Sequence, residues 1–116
     1  MTDEELSDVL KILGDEHARK ILQETMKRPM SADELSDVCD ISPQSVYRRT
    51  DKLSSYGLLD TEMEYDEDGH HFQTYTADPT QIVIGISEEN ADVTISKREK
   101  MTDRFSEFIN QVRDQW

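Results

Sequence analysis

The chain has 116 residues, with 26 acidic side chains against 13 basic ones and a formal net charge of −13 at neutral pH. This length allows one small domain, and the single cysteine, Cys39, excludes both an intramolecular disulfide and a thiolate cluster within one chain. The amino terminus lacks a secretion signal and the longest apolar run is too short for a membrane span, so we expect a cytoplasmic protein that makes no membrane contact.

Acidic charge is concentrated in the second half of the chain. Residues 58–92 contain ten acidic side chains and no Lys or Arg, whereas residues 41–57 have a net charge of +2. Dense carboxylates with few lysines suit a cytosol of molar salt, where a Debye length of roughly 3 Å screens their mutual repulsion. We therefore expect a halophilic host.

Apolar residues at helical spacing predict two helices at the start of the chain. The first ends at Gly14, and its inward face comprises Leu6, Val9, Leu10 and Leu13. The second begins at Asp15 and is broken at Pro29, and its inward residues are Ala18, Ile21, Leu22 and either Thr25 or Met26.

Two further helices follow, separated by the three-residue turn 40–42. The third opens with a capping box, Ser31 to Glu34, and directs inward Leu35, Val38 and Cys39. The fourth has Ser42 as its cap, Pro43 in its first turn and Gly57 at its end, and its inward stripe is Val46, Thr50 and Leu53. Two helices joined by so tight a turn predict a helix-turn-helix.

The outward face of the fourth helix is polar and basic, unlike the rest of the chain. Its residues are Gln44, Ser45, Tyr47, Arg48 and Lys52, with Arg49 on a flank. Side chains of these types hydrogen-bond to base edges and phosphates. We interpret this helix as the recognition helix of a protein that binds double-stranded DNA.

After Gly57 the apolar period changes from 3.6 to 2, which predicts strands. Residues 59–65 and 72–76 form a hairpin around the acidic turn 66–69, in the position of a wing, with His70 and His71 beside the turn. These histidines could touch the DNA backbone or hold a metal, but neighbours on a strand point to opposite faces, so joint chelation is not expected. Residues 81–87 and 92–96 predict a second hairpin.

A second capping-box pattern, Ser96 to Glu99, predicts a last helix of about 20 residues, roughly 30 Å long. Its apolar stripe comprises Met101, Phe105, Phe108, Ile109, Val112 and Trp116. This stripe is larger than a small acidic domain requires for its own core. We expect it to pack against the same helix of a second chain; the alternative is that it folds back on its own domain.

Four blocks of the sequence, residues 12–22, 29–35, 41–49 and 53–59, resemble the ArsR-like winged helix-turn-helix regulators, and the tail resembles that of regulators from halophilic archaea. The resemblance implies a homodimeric DNA-binding repressor on a semi-palindromic operator. By position it would place Ser42, Gln44, Ser45 and Arg48 in the major groove. The metal sites of the family do not carry over, because residues 34–40 contain only one cysteine and the last helix has no histidine.

The predicted fold is therefore α+β and mostly α. A winged helix-turn-helix domain with a β-hairpin wing occupies residues 1–78, and a second short hairpin and a long C-terminal dimerisation helix occupy residues 79–116. We expect no enzyme activity, metal or cofactor. Cys39 is interpreted as a buried thiol, with a redox sensor as the alternative, and the acidic turn as solvated surface.

The sequence is compatible with two functions. The first is a dimeric, sequence-specific transcription regulator adapted to high salt, in which cations bridge the acidic wing and the DNA. The alternative is a winged-helix module of the transcription machinery that binds another protein through its acidic face. The basic and polar face of the fourth helix favours the first, because a purely protein-binding module would not require it.

Overall fold

The computed structural model describes residues 3–97 and residue 112 of the chain. The helices are α1 (Asp3–Leu13), α2 (Glu16–Lys27), α3 (Ala32–Cys39) and α4 (Pro43–Ser55), and the strands are β1 (Met30–Ser31), β2 (Asp60–Tyr65), β3 (His71–Thr76), β4 (Thr80–Ile86) and β5 (Ala91–Lys97). The strands form two antiparallel sheets, one in the order β1-β3-β2 and one consisting of β4 and β5. The α+β prediction is confirmed for this part of the chain.

Both helices of the predicted helix-turn-helix begin at the caps that the sequence indicates. The Ser31 hydroxyl accepts a hydrogen bond from the backbone N–H of Glu34, and the Glu34 carboxylate accepts one from the backbone of Ser31, which completes a capping box. The Ser42 hydroxyl accepts from the backbone N–H of Ser45 at 3.2 Å, with Pro43 in the first turn. These bonds satisfy backbone donors that have no partner within the helix.

The turn between α3 and α4 is fixed by a left-handed residue. Asp40 has φ of 55°, and its backbone N–H donates to the carbonyl of Ser36. The N–H of Ile41 donates to that same carbonyl, and the Ser36 hydroxyl donates to the Ile41 carbonyl at 2.6 Å. The turn is therefore closed by local hydrogen bonds, so the direction in which α4 leaves α3 is well defined.

The core lies where the four helices and the base of the first sheet meet. Its residues with no exposed surface include Ala18, Ile21, Leu35, Val46 and Leu53. The stripe predicted for α4 is confirmed, since Val46, Thr50 and Leu53 are all completely buried. Gly57, with φ of +73°, ends the turn that follows α4 and lets the chain enter β2.

The hairpin β2–β3, which we call the wing, follows α4 as predicted, with its strands paired from Asp60–Thr76 to Tyr65–His71. Its base is covered by β1, which pairs Met30 with Tyr75. This two-residue strand was not predicted, because a segment so short has no periodicity to read and forms only through pairing with a distant strand.

The outer half of the wing extends beyond the body of the domain. Met63, Tyr65 and Phe72 are 57%, 66% and 38% exposed, although their alternation in the sequence suggested one buried face. Within the part of the chain that the structure describes, β1 pairs with the base of the hairpin, and the apolar residues nearer the turn remain exposed.

The second hairpin is confirmed, with strands of seven residues and a turn closed by a hydrogen bond from the Ser87 N–H to the Asn90 carbonyl. Val93 of β5 packs with Leu6 and Val9 of α1 in a small second cluster. Lys97 forms an ion pair with Asp60 at 2.9 Å, which links the end of this hairpin to the start of the wing.

Three details of the sequence interpretation are wrong. Leu10 is 42% exposed and Ile12 takes its place on the inward face of α1, and Val38 of α3 is 38% exposed. Ser96 does not begin a helix, because it pairs with Gln81 inside β5. The remainder of the predicted last helix lies outside the described residues, apart from Val112, which is helical and partly exposed.

No helix in the part of the chain that the structure describes combines the length and the apolar character that crossing a bilayer requires.

Candidate nucleic-acid interface

The candidate interface is the outward side of α4. Gln44, Tyr47, Arg48 and Lys52 are exposed there, and the tyrosine side chain keeps 49% of its surface in solvent. The opposite side of the same helix is anchored in the core by Val46, Thr50 and Leu53. The helix is thus held rigidly from behind, and this group of polar and basic side chains remains accessible.

Ser42 and Ser45 lie at the amino-terminal end of this face and are bonded to each other. The Ser42 hydroxyl donates to the Ser45 hydroxyl at 3.0 Å and also accepts the Ser45 backbone N–H. Ser42 is exposed and Ser45 is half-buried. The structure therefore makes Ser42 the cap of α4 and Ser45 its hydrogen-bond partner, in addition to the DNA contact that the resemblance implies for both.

Arg49 is oriented differently from the other basic residues of α4. Its guanidinium forms an ion pair with Asp15, the residue before α2, and donates to the Ser45 carbonyl at 3.2 Å. Only 14% of the Arg49 side chain and 28% of the Asp15 side chain are exposed. The guanidinium expected to contact DNA thus ties α4 to the start of α2 instead.

This contact affects the pKa of the Asp15 carboxyl. Partial burial opposes its ionisation, but the hydrogen bond and the positive charge of Arg49 outweigh that effect and hold the pKa of Asp15 below its usual value. The ion pair is therefore formed throughout the neutral pH range and helps to fix α4 relative to α2.

A basic depression borders the carboxyl-terminal part of α4 on the α1 side. It has a volume of about 140 Å³ and is lined by Lys11, Ile12, Asp15, Arg48, Arg49 and Lys52. Lys11 was not predicted to belong to this site, because it lies on an acidic helix 37 residues before Arg48 and only the folded chain brings the two together. No local signal in the sequence marks this lysine.

A second depression, of about 220 Å³, borders α4 on the wing side. Tyr47 of α4 and Phe72 and Gln73 of β3 line it, together with the first residues of α3. The exposed face of α4 therefore lies between the wing and α1.

The wing carries six acidic side chains between residues 60 and 76 and no Lys or Arg. At its turn, one Asp66 carboxylate oxygen accepts the backbone N–H groups of Asp68 and His70, and Gly69 adopts φ of +82°. The side chains of His70 and His71 diverge. The His70 ring lies 3.3 Å from the Asp66 carboxylate, and the His71 ring packs on Tyr65 with centroids 4.6 Å apart.

Within the described residues, one group could offer three ligand atoms to a metal ion, namely Asp66, Asp68 and His70. Their ligand atoms lie within 4.8 Å of one another, and all three residues are exposed. This grouping was not predicted, because the sequence pattern of the acidic turn and the histidines does not show how the turn folds. Exposed acidic groups of this kind are common on protein surfaces without a bound ion.

Cys39 is buried, with 5% of its surface exposed, and desolvation raises the pKa of its thiol, with weaker and opposing contributions from nearby charges. A thiol that is both shielded and protonated is a poor nucleophile, which agrees with the structural role expected for it.

The residues expected to form a dimer interface are outside the described part of the chain, except Val112.

Comparison with known proteins bears on the same region. Residues 13–62 match the sequence profile of a helix-turn-helix domain. The matched segment runs from the end of α1 into β2 and includes the whole of α4, so it supports a DNA-binding regulator. Among solved structures, a possible transcriptional regulator from Methanosarcina mazei Go1 is similar, with 15% identity and a TM-score of 0.41, over 100% of this chain and 79% of that one. No curated protein matches the chain.

The contact between Asp15 and Arg49 leads to a prediction about stability and pH. Asp15→Asn should lower the free energy of unfolding at pH 7 by about 1–3 kcal/mol, because a partly buried guanidinium loses its charged partner. The folded-state pKa of Asp15 lies below the ordinary value of 3.8, so this contribution is present above about pH 4 and is lost as the pH falls through the folded-state pKa. Chemical denaturation at several pH values measures it.

Asp37→Asn is the matched control, since Asp37 is an exposed carboxylate on α3. It should change stability by less than about 0.5 kcal/mol at all pH values. Equal losses in the two variants would contradict a specific role for Asp15.

Proposed function

We propose that this protein is a dimeric, sequence-specific transcription regulator of the ArsR-like winged helix-turn-helix type, which acts on double-stranded DNA in the cytoplasm of a halophile. One observation carries the proposal. In a chain of net charge −13, the outward face of α4 retains exposed Gln44, Arg48 and Lys52, while its other face is fully buried. A helix anchored in this way can enter the major groove without rearranging the domain.

The side chains of α4 have different roles in this proposal. Gln44 and Arg48 suit base edges, because amide and guanidinium groups form paired hydrogen bonds with adenine and guanine. Lys52 suits a backbone phosphate. The hydrogen-bonded pair Ser42 and Ser45 presents the amino-terminal end of the helix, where the helix dipole favours a phosphate.

In this proposal the wing contacts the DNA backbone through His70 and His71. Its carboxylates would repel a phosphate backbone, and we propose that cations bridge the two surfaces. The exposed oxygens at Asp66 and Asp68 offer places for such ions.

Dimerisation completes the proposal. A twofold operator requires two recognition helices about 34 Å apart, which a single chain cannot supply. The apolar stripe at Met101, Phe105, Phe108, Ile109, Val112 and Trp116 would join the two chains.

A second candidate, a protein-binding module, is favoured by the exposed apolar side chains of the wing, Met63, Tyr65 and Phe72. The two functions differ in what they require of α4. DNA binding depends on Arg48, whereas a protein partner on the wing does not.

The first test concerns Arg48. Arg48→Ala should weaken binding to a duplex isolated by in vitro selection by about 1–3 kcal/mol and relax its base preference, because a paired contact to a base is lost. Fluorescence anisotropy measures the affinity, and circular dichroism checks the fold. Arg19→Ala, which removes an exposed arginine from α2, is the control and should leave affinity unchanged. If a folded Arg48→Ala protein bound as tightly as the wild type, the assigned face would be wrong.

The second test concerns salt. Binding by a basic surface weakens with salt at a slope of about −0.9 for each phosphate neutralised. That weakening arises because cations are released from the DNA when the protein binds. Here the uptake of cations between the wing and DNA should offset the cations released. We therefore expect affinity to be flat or to rise with KCl between about 0.5 and 2 M, where screening is nearly complete.

Glu64→Gln combined with Asp66→Asn should restore an ordinary negative slope. The asparagine keeps the oxygen that accepts the N–H groups of Asp68 and His70, so the turn is preserved. The control is Glu88→Gln with Glu89→Gln, which removes two charges from the other hairpin. A steep fall in wild-type affinity over this range would rule out cation bridging but not DNA binding.

The third test concerns assembly. Phe105→Asp with Phe108→Asp should give a folded monomer that binds the selected duplex poorly, because the apolar stripe can no longer be buried between chains. Light scattering gives the mass. Ser106→Asp with Gln111→Asp places the same charges at polar positions of this segment and should leave the mass unchanged. A double phenylalanine variant that stays dimeric would place the interface elsewhere.

A further inference from the structure

We infer that Lys11, Arg48 and Lys52 form a binding seat for one phosphate group of the DNA backbone, next to the groove that α4 reads. The inference rests on the proposed DNA-binding function and adds to it a residue from α1, a helix to which DNA contact is not otherwise assigned. We call this site the phosphate seat.

The three cations come from two helices, yet they line one open depression of about 140 Å³. Arg48 and Lys52 are four residues apart and therefore follow each other along one ridge of α4. Lys11 lies in the last turn of α1 and faces that ridge from the other side. An anion in the depression would be approached by positive charge from both sides.

Two further charged residues line the depression, but Asp15 and Arg49 form an ion pair with each other. The acid is thereby compensated, and the remaining charge of the site is +3. Among the residues that the structure describes, none forms an ion pair or hydrogen bond with the ammonium groups of Lys11 and Lys52 or the guanidinium of Arg48; the Ser55 hydroxyl contacts only the backbone carbonyl of Lys52. Three uncompensated cations in one depression contrast with a chain that carries two acids for each base.

A phosphate diester carries its charge on oxygens that can each accept hydrogen bonds, which suits one guanidinium and two flexible ammonium groups. The seat also adjoins the side chains proposed to read bases, since Arg48 belongs to both surfaces. DNA that occupied the groove along α4 would therefore bring its backbone over the seat. A free phosphorylated molecule has the same chemistry, but it would not explain why the site is continuous with α4.

The test compares Lys11→Gln with Lys20→Gln on a duplex isolated by in vitro selection with the wild-type protein. Both variants remove one exposed lysine from a helix, and glutamine preserves helix propensity. Affinity is measured at several KCl concentrations, with folding checked by circular dichroism at each.

Lys11→Gln should weaken binding to every duplex by the same factor, because a phosphate contact carries no base preference. Because each chain of the proposed dimer loses one phosphate contact, its salt slope should differ from that of the wild type by about 1.8, so the ratio of the two affinities should shrink about 12-fold between 0.5 and 2 M KCl. Lys20→Gln should match the wild type in both respects.

A second measurement locates the phosphate. Neutral methylphosphonates are placed at one symmetry-related pair of backbone positions at a time, one in each half-site of the selected duplex. At one such pair, the substitution should weaken wild-type binding at least as much as Lys11→Gln does, and it should weaken binding of the Lys11→Gln protein by a smaller factor than that of the wild type. Additive losses at every position would overturn the inference.

The remaining outcomes separate the possible failures. If the wild type selected no duplex, the proposed function would fail and the seat would fail with it. If the wild type bound DNA and Lys11→Gln bound equally well with the same slope, only the seat would be wrong. Saturable binding of inorganic phosphate that Lys11→Gln abolishes, together with unchanged DNA affinity, would also overturn the inference and assign the site to a free anion.

Discussion

The interface depends on the separation of buried and exposed side chains onto opposite faces of α4. Val46, Thr50 and Leu53 are completely buried, and together they leave α4 no freedom to rotate about its axis. Because the positions of a helix are fixed relative to one another, burial of this stripe forces Gln44 and Arg48 outward. The apolar packing of the core therefore determines which side chains can reach a ligand. The closed turn at Asp40 and the ion pair between Asp15 and Arg49 then fix the direction of the same helix.

Much of this could be read from the sequence because the signals are local. The caps at Ser31 and Ser42, the left-handed Gly57 and both hairpins depend on residues a few positions apart. Contacts between distant segments could not be read. Strand β1 exists only because Met30 pairs with Tyr75.

The same distinction between local signals and contacts between distant segments applies to the candidate site. The exposed face of α4 follows from helical periodicity alone, so the sequence indicates Arg48 and Lys52. Helical periodicity does not predict the orientation of the Arg49 side chain, because a residue on the flank of a helix can turn either way. Its partner Asp15 is also 34 positions away in the sequence. Lys11 is the clearest example, since its own helix is acidic and its importance comes only from the residues that fold beside it. The wing was predicted with the correct turn, but its exposed apolar residues depend on what packs against it.

The arrangement of charge suits recognition at high salt. If the proposed halophilic setting is correct, a Debye length of roughly 3 Å leaves almost no long-range attraction to DNA, and almost no long-range repulsion from the acidic wing. The net charge of the chain then matters little for binding. What remains are contacts at hydrogen-bond distance, where two groups touch and little salt lies between them. A few cations held by a rigid helix can therefore be sufficient, provided that each meets its own phosphate or base. In this setting the position of Lys11 beside Arg48 contributes more to DNA binding than a larger number of scattered lysines would.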